Sequence, residues 1–331
     1  MTNISDKGAY NIVTSLTKCT NLLTLILDFW DNSIGAESNF DLGSALSKLN
    51  NLQTLKLDLR YNCINAEGLL ELGNGLARCT NLTTLTLYIQ QNIIGNKSVE
   101  YLGSALQNCA KLQNLSLDIF NFDDQDENSL EPAAISNCKN IQNLTLNIWQ
   151  KSIGLQGAQV LGLTLAKFTN LSVLTLNLQI NKIGDKGLSC LASGFVNCAN
   201  LSNLTLNLAD NQIGAQGASE LGFALPNCKN LQNLALNLDA NHVGSIGILD
   251  LSSALIKCLK LQNLKLELLQ NNLGLQGTSH LGSSLLKCSN LLFLEIKLGF
   301  NTINLINQSK LRTRILKMKR LLQIQLSWSL E

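Results

Sequence analysis

The chain has 331 residues, 45% apolar and only 5% aromatic, so a large core is available but must be built from aliphatic side chains. Twenty-five Lys and Arg against 23 Asp and Glu leave a formal charge of +2, which creates no overall field to draw nucleic acid or an anionic membrane. Two prolines and 23 glycines are too few for a disordered tract or a long linker.

The first twenty residues, MTNISDKGAYNIVTSLTKCT, are polar throughout and lack the apolar stretch of a secretory signal. No uncharged apolar run reaches the roughly 18 residues that cross a bilayer. The expectation is a cytoplasmic protein without a membrane span. Within this opening stretch, Gly8, Ile12, Leu16 and Cys19 match the second half of a unit that then recurs every 30 residues. Its copies begin at Asn21, Asn51, Asn81, Lys111, Asn140, Asn170, Asn200, Asn230, Lys260, Asn290 and Arg320, and only the interval from Lys111 to Asn140 is 29. Self-similarity of this kind defines a repeat array. It predicts one domain over 1–331: a half repeat at 1–20, ten repeats at 21–319 and a terminal strand at 320–331.

Two periods follow one another inside each unit. Leu204, Leu206 and Leu208 alternate, which puts every second side chain of an extended segment on one face. Leu221, Ala224, Leu225 and Cys228 then recur at i, i+3, i+4 and i+7, the apolar stripe of a helix. Neither piece buries its apolar face alone. Stacked copies do, as a core between a parallel sheet and a row of helices. Helices pack about 8–10 Å apart and strands about 4.8 Å apart, so the stack is expected to curve with its strands inside.

At the twelfth place of the unit stand Asn32, Asn62, Asn92, Asn181, Asn211, Asn241, Asn271 and Asn301, suited to hydrogen-bond a turn backbone. The glycine that usually follows, as in Gly184 and Gly214, suits a position that a side chain would obstruct. The run N-x-I-G-x-x-G-x-x-x-L-x-x-x-L is complete in Asn211 to Leu225 and is matched by Asn181 to Phe195 except at the final Phe. It resembles the ribonuclease-inhibitor-like leucine-rich repeats, a family that includes the Ran GTPase-activating protein and the sensor domains of NOD-like receptors. The resemblance implies an α/β fold: a right-handed solenoid, or horseshoe, with a parallel sheet on the concave face and helices on the convex face. The present pattern, L-x-x-L-x-L-x-L-x-x-N, places Asn two residues later than is usual there, so the strand or its exit should be extended.

Eight of the ten cysteines share one helical position, filled elsewhere by Leu49, Phe168 and Met318, so they read as small buried hydrophobes. Cα atoms on neighbouring helices stand too far apart for disulfides, and two histidines without a C-x-x-C pair offer no zinc site. The N-x-[ST] triplets at Asn81, Asn143 and Asn203 recur because the repeat does. The acidic stretch Asp123, Asp124, Asp126 and Glu127 lacks the Gly and Glu of a calcium loop. No phosphate-binding, kinase or G-x-S-x-G motif is present, so neither cofactor, metal nor catalytic residue is expected.

Residues between the strand leucines should face outward, from Ile26, Asp28 and Trp30 in the first repeat to Glu295, Lys297 and Gly299 in the tenth, and in the middle and later turns they form a bland ladder of Thr and Asn. The first half of this face carries Trp30, Arg60, Tyr61, Tyr88, Phe120 and Trp149, the residue types that anchor protein interfaces. They form either a contact surface for a protein partner or a cluster packed on itself. The fourth and fifth repeats, residues 120–152, depart most from the pattern and read as a recognition feature, a bend or a decayed repeat. Lys310, Arg312, Arg314, Lys317, Lys319 and Arg320 make the last turn basic, as a solvent-facing terminal turn or a dock for an acidic partner. Unpaired edges at the two ends can support end-to-end association. The leading expectation is a non-catalytic protein-binding scaffold. Its alternatives are a GTPase regulator acting through Arg60 and a structural subunit of a larger assembly.

Overall fold

A computed structural model describes residues 4–35, 42–94, 96–118, 132–150 and 152–328, in two compact units, Met1–Lys151 and Ser152–Glu331. The first unit alternates helices α1 (Asp6–Leu16), α2 (Leu42–Leu46), α3 (Ala66–Leu76) and α4 (Asn96–Leu106) with strands β1 (Thr24–Asp28), β2 (Thr54–Asp58), β3 (Thr84–Tyr88), β4 (Asn114–Asp118) and β5 (Asn143–Asn147). These strands pair in chain order, all parallel, and equivalent positions meet: Leu25 with Leu55, Leu55 with Leu85, Leu85 with Leu115, Leu115 with Leu144. The second unit repeats the plan with α5 (Gly154–Leu165), β6 (Val173–Asn177), α6 (Gly184–Val196), β7 (Asn203–Asn207), α7 (Ala215–Ala224), β8 (Asn233–Asn237), α8 (Gly244–Leu255), β9 (Asn263–Glu267), α9 (Gly274–Leu285), β10 (Phe293–Lys297), α10 (Leu305–Ile315) and β11 (Gln323–Ser327). Here β6 to β11 pair in the same parallel order.

The alternating leucines lie where the period-two pattern puts them. Leu204, Leu206 and Leu208 are buried, as are Leu221 in α7 and Leu225 and Cys228 just beyond it. Helices approach closely because small residues stand between them. A Cβ on Gly162 would lie 2.3 Å from the Cys190 carbonyl oxygen, and one on Gly194 would lie 2.4 Å from that of Gly162. Any side chain there would force α5 and α6 apart and open the core beneath them.

The turn after each strand explains the long spacing to Asn. Backbone pairing continues past the strand: Leu208 N–H donates to Asn237 O at 2.8 Å and Asp210 N–H to Asp239 O at 2.9 Å. The extended exit is therefore present. The eleventh residue of the unit then turns left-handed, with φ 54° at Asp210 and 52° at Ala240. That reversal aims the asparagine side chain inward. Asn241 Nδ2 donates to Leu208 O at 2.9 Å in the preceding turn and to Leu238 O at 2.9 Å in its own. Its Oδ1 accepts from Asn211 N–H at 3.0 Å and Ile213 N–H at 2.9 Å. Equivalent bonds are made by Asn62, Asn92, Asn211, Asn271 and Asn301.

For the following glycine the expectation of obstruction holds at Gly214, where a Cβ would lie 3.0 Å from Asp185 Oδ2, but not at Gly184. A Cβ on Gly184 would meet nothing within 4 Å, but its φ is +62°, a conformation that costs side-chain-bearing residues energy. The sequon asparagines are likewise engaged in ladders. Asn143 Nδ2 donates to Asn114 Oδ1, Asn233 Nδ2 to Asn203 Oδ1, and Asn81 Nδ2 to Asn50 O at 2.8 Å. In the fourth repeat the described part of the helical half is a 3-10 helix, Pro132–Asn137. The acidic stretch at 123–127 and Phe120 lie outside the described residues.

All ten cysteines are free. The repeated ones do more than fill space. The Cys79 thiol points to Leu46 O at 3.5 Å, Cys109 to Leu76 O at 3.3 Å and Cys198 to Leu165 O at 3.5 Å, each in the preceding turn. Burial pushes Cys79, Cys138, Cys228 and Cys288 up to about 11, and Cys109, Cys198 and Cys258 up to about 12. At pH 8 the thiolate fraction of these seven is then about one in a thousand or less. Thiol titration should therefore find ten reactive groups in denaturant, while Cys19, Cys63 and Cys190 react ahead of the others in the folded protein. Fewer than ten in denaturant would contradict the free-thiol assignment.

Candidate functional site

The eighth residue of each unit ends a strand, and in five units an Asp or Asn there folds back on its own exit. Asp28 Oδ1 accepts from Trp30 N–H at 3.0 Å, Asp58 Oδ1 from Arg60 N–H at 3.1 Å and Asn237 Oδ1 from Asp239 N–H at 2.8 Å. These side-chain turns hold the tenth and eleventh residues at the rim of the sheet. In the first unit those places carry the aromatic and cationic side chains.

Trp30 and Tyr61 meet edge to face, with ring centroids 5.9 Å apart and planes at 71°. About half of each remains in solvent, 49% for Trp30 and 48% for Tyr61. Beside them Arg60 Nε donates to both oxygens of Asp58, at 2.9 and 3.0 Å, and its guanidinium carbon lies 5.2 Å from the Tyr88 ring centroid. The Asp58 hydrogen bond and, against burial, the charges of Asp58, Asp118 and Asp28 hold the Arg60 pKa above its ordinary value. Lys56 Nζ stands 5.5 Å from the same ring. The structure thus gathers four of the predicted residues, Trp30, Arg60, Tyr61 and Tyr88, on neighbouring strands. Trp149 is half-buried at the exit of β5, two strands beyond Tyr88 and so about 10 Å along the sheet. Packing of rings on one another and exposure to solvent coexist here. The pair is fixed in place and still presents its faces.

The second unit carries a charged group on the same side of its sheet that the residue types did not single out. Register sets Lys265 opposite Glu295 and Glu267 opposite Lys297. Lys265 Nζ lies 3.1 Å from Glu267 and 3.3 Å from Glu295, and Lys297 Nζ lies 2.8 Å from Glu267. Burial pushes Glu267 up, but hydrogen bonds from Lys297 and Lys265 outweigh it and leave the carboxyl below its ordinary value. The signal was in the sequence as opposite charges at the sixth and eighth places of consecutive units. It is readable only once the register is known. Next to this group a depression of about 170 Å³ is lined by Thr205, Asn207, Ala235, Asn237, Lys265 and Glu267. It is smaller than the roughly 300–1,000 Å³ of small-molecule sites. Among the described residues no group of three or more His, Cys, Asp or Glu could hold a metal ion.

Asp239 borders this group. Its Oδ1 accepts from Leu269 N–H at 2.7 Å, yet burial raises its pKa to about 6, with Glu267 adding to the rise and Lys297 and Lys265 opposing it. A raised carboxyl pKa means the folded protein holds the proton more tightly than the unfolded chain. Its contribution to stability is therefore complete below about pH 4 and is lost as pH rises through 6. Asp239→Asn keeps an acceptor for Leu269 and removes the titration. The variant should match the parent below pH 4 and exceed its stability by about 1 kcal/mol at pH 7, after allowance for solvent screening. Denaturant unfolding across that range measures it, and an equal offset at every pH would refute the assignment.

Three segments of the chain, residues 51–73, 169–192 and 200–222, match the family model described as leucine rich repeat. In overall structure the chain is similar to one in the crystal structure of the Rad7 and Elc1 complex in yeast. The TM-score is 0.42 at 16% sequence identity, covering 94% of this chain and 81% of that one. Comparison with curated proteins gives no match. Those three segments match leucine-rich repeats, and within each of the two units parallel strands alternate with helices, an α/β arrangement.

Proposed function

We propose that the protein is a non-catalytic binding module of the ribonuclease-inhibitor-like type, acting in the cytoplasm as a scaffold, and that Trp30, Tyr61, Arg60 and Tyr88 anchor a protein partner. Trp149 and Phe120 extend the proposed surface. The observation that carries the proposal is the Trp30–Tyr61 pair, held edge to face at 5.9 Å yet half in solvent. Rigid aromatic side chains beside an oriented guanidinium lose little entropy on contact and bury much apolar area. The geometry of Arg60 favours an anchor over an arginine that reaches into a nucleotide site, because both oxygens of Asp58 already hold it. Ten unpaired thiols suit a reducing compartment.

The test is affinity capture of partners with the parent chain and with Trp30→Ala combined with Tyr61→Gln. Gln already occupies the equivalent left-handed position at Gln91, Gln150 and Gln270, so the second change is compatible with the backbone. Capture should fall at least about tenfold, while Thr205→Ala in the second unit leaves it unchanged. Unchanged capture with the aromatic variant would remove the proposal. Intrinsic GTP hydrolysis by small GTPases should be the same with the parent and with Arg60→Ala.

A further inference from the structure

The net charge of +2 conceals a segregation along one edge of the second unit. The segments between helix end and next strand read PNCKNLQ at 226–232, IKCLKLQ at 256–262, LKCSNLL at 286–292 and LKMKRLL at 316–322. Together they hold seven Lys and Arg and no Asp or Glu, and all seven cations are exposed. The four segments are neighbours in space, because the strands they lead into pair in register. Backbone bonds tie them directly: Gln262 N–H donates to Gln232 O at 2.9 Å, Leu292 N–H to Gln262 O at 2.8 Å and Leu322 N–H to Leu292 O at 2.7 Å.

Exposed aliphatic side chains stand among these cations. Leu259 is 75% exposed, Leu316 65% and Leu322 83%, with Leu286 at 38%. Between the last two segments a cleft of about 440 Å³ is lined both by Leu286, Leu291 and Met318 and by Lys317, Lys319 and Arg320. Complementing helix ends accounts for only part of this. A helix C-terminus is worth about half a negative charge, so four of them offset about two of the seven cations and none of the leucines.

We propose that this edge docks peripherally on an anionic phospholipid surface. The leucines enter the boundary between headgroups and acyl chains, and the lysines meet lipid phosphates and carboxylates. Interleaved cations and aliphatic side chains are what such a surface selects. Nucleic acid fits less well, since the four segments contain no aromatic ring on which a base could stack. An acidic peptide would need apolar anchors at matching intervals, whereas a bilayer offers charge and hydrocarbon at every point. No described helix is long and apolar enough to cross a membrane, and peripheral docking requires none.

Cosedimentation of the full chain with vesicles tests the proposal. The chain should bind vesicles of mixed phosphatidylserine and phosphatidylcholine, ignore phosphatidylcholine alone, and be released by added salt. Each lysine near an anionic surface is worth about a fivefold change in partitioning. Lys257→Glu, Lys287→Glu and Lys317→Glu together should therefore lower binding at least about a hundredfold with the circular dichroism unchanged. Should that variant unfold, the Lys→Gln triple replaces it with the same direction expected. Leu259→Ser with Leu316→Ser should weaken binding while leaving its salt dependence intact. The Trp30→Ala, Tyr61→Gln variant should bind vesicles like the parent, which separates this edge from the aromatic site. Equal binding to neutral vesicles, no binding to mixed ones, or preference for polyglutamate or a DNA oligonucleotide would each overturn it.

Discussion

The structure depends on asparagines that tie successive turns together in eight of the ten repeats. Asn241 illustrates the constraint: its amide donates to carbonyls in two successive turns, and its oxygen accepts from two backbone amides of the preceding turn. A turn placed over an apolar core would otherwise strand polar backbone groups, at about 1–3 kcal/mol each. One side chain of fixed length does this in eight of the ten repeats, the fourth and fifth lacking it, so the spacing between those turns is set by chemistry and not by packing alone. The left-handed eleventh residue serves the same end, delivering the asparagine to its place.

With the core sealed by that ladder and by close helix contacts, the remaining surfaces are free to differ from turn to turn. In the first unit the sheet rim carries Trp30, Arg60, Tyr61 and Tyr88, whereas in the second it carries the alternating charges of Lys265, Glu267, Glu295 and Lys297. The edge where helices end is different again, basic and leucine-studded. Each surface has its own chemistry on one shared backbone plan, which is how repeat proteins vary contacts without altering the fold.

Much of this was legible from the period. The 30-residue repeat, the alternating leucines and the i, i+3, i+4, i+7 stripe place strands, helices and core, because those periodicities are the geometry of the elements themselves. The displaced asparagine announced the extended strand exit. Other features depend on three-dimensional register. The Lys265–Glu295 and Glu267–Lys297 pairs, the bidentate capture of Arg60 by Asp58 and the thiol contacts to preceding carbonyls all join residues that the sequence alone does not order. The glycine after the turn was read as a matter of space, while at Gly184 the backbone angle is what requires it. A net charge is an average, and it hid the basic edge for that reason.

Amide hydrogen exchange over residues 204–213 tests the central claim most directly. In the parent chain the Asn211 and Ile213 amides, which donate to Asn241 Oδ1, should exchange as slowly as Leu204 within β7, and Asn241→Ala should speed those two selectively. Exchange of Asn211 and Ile213 at the rate of an open loop in the parent chain would contradict the account.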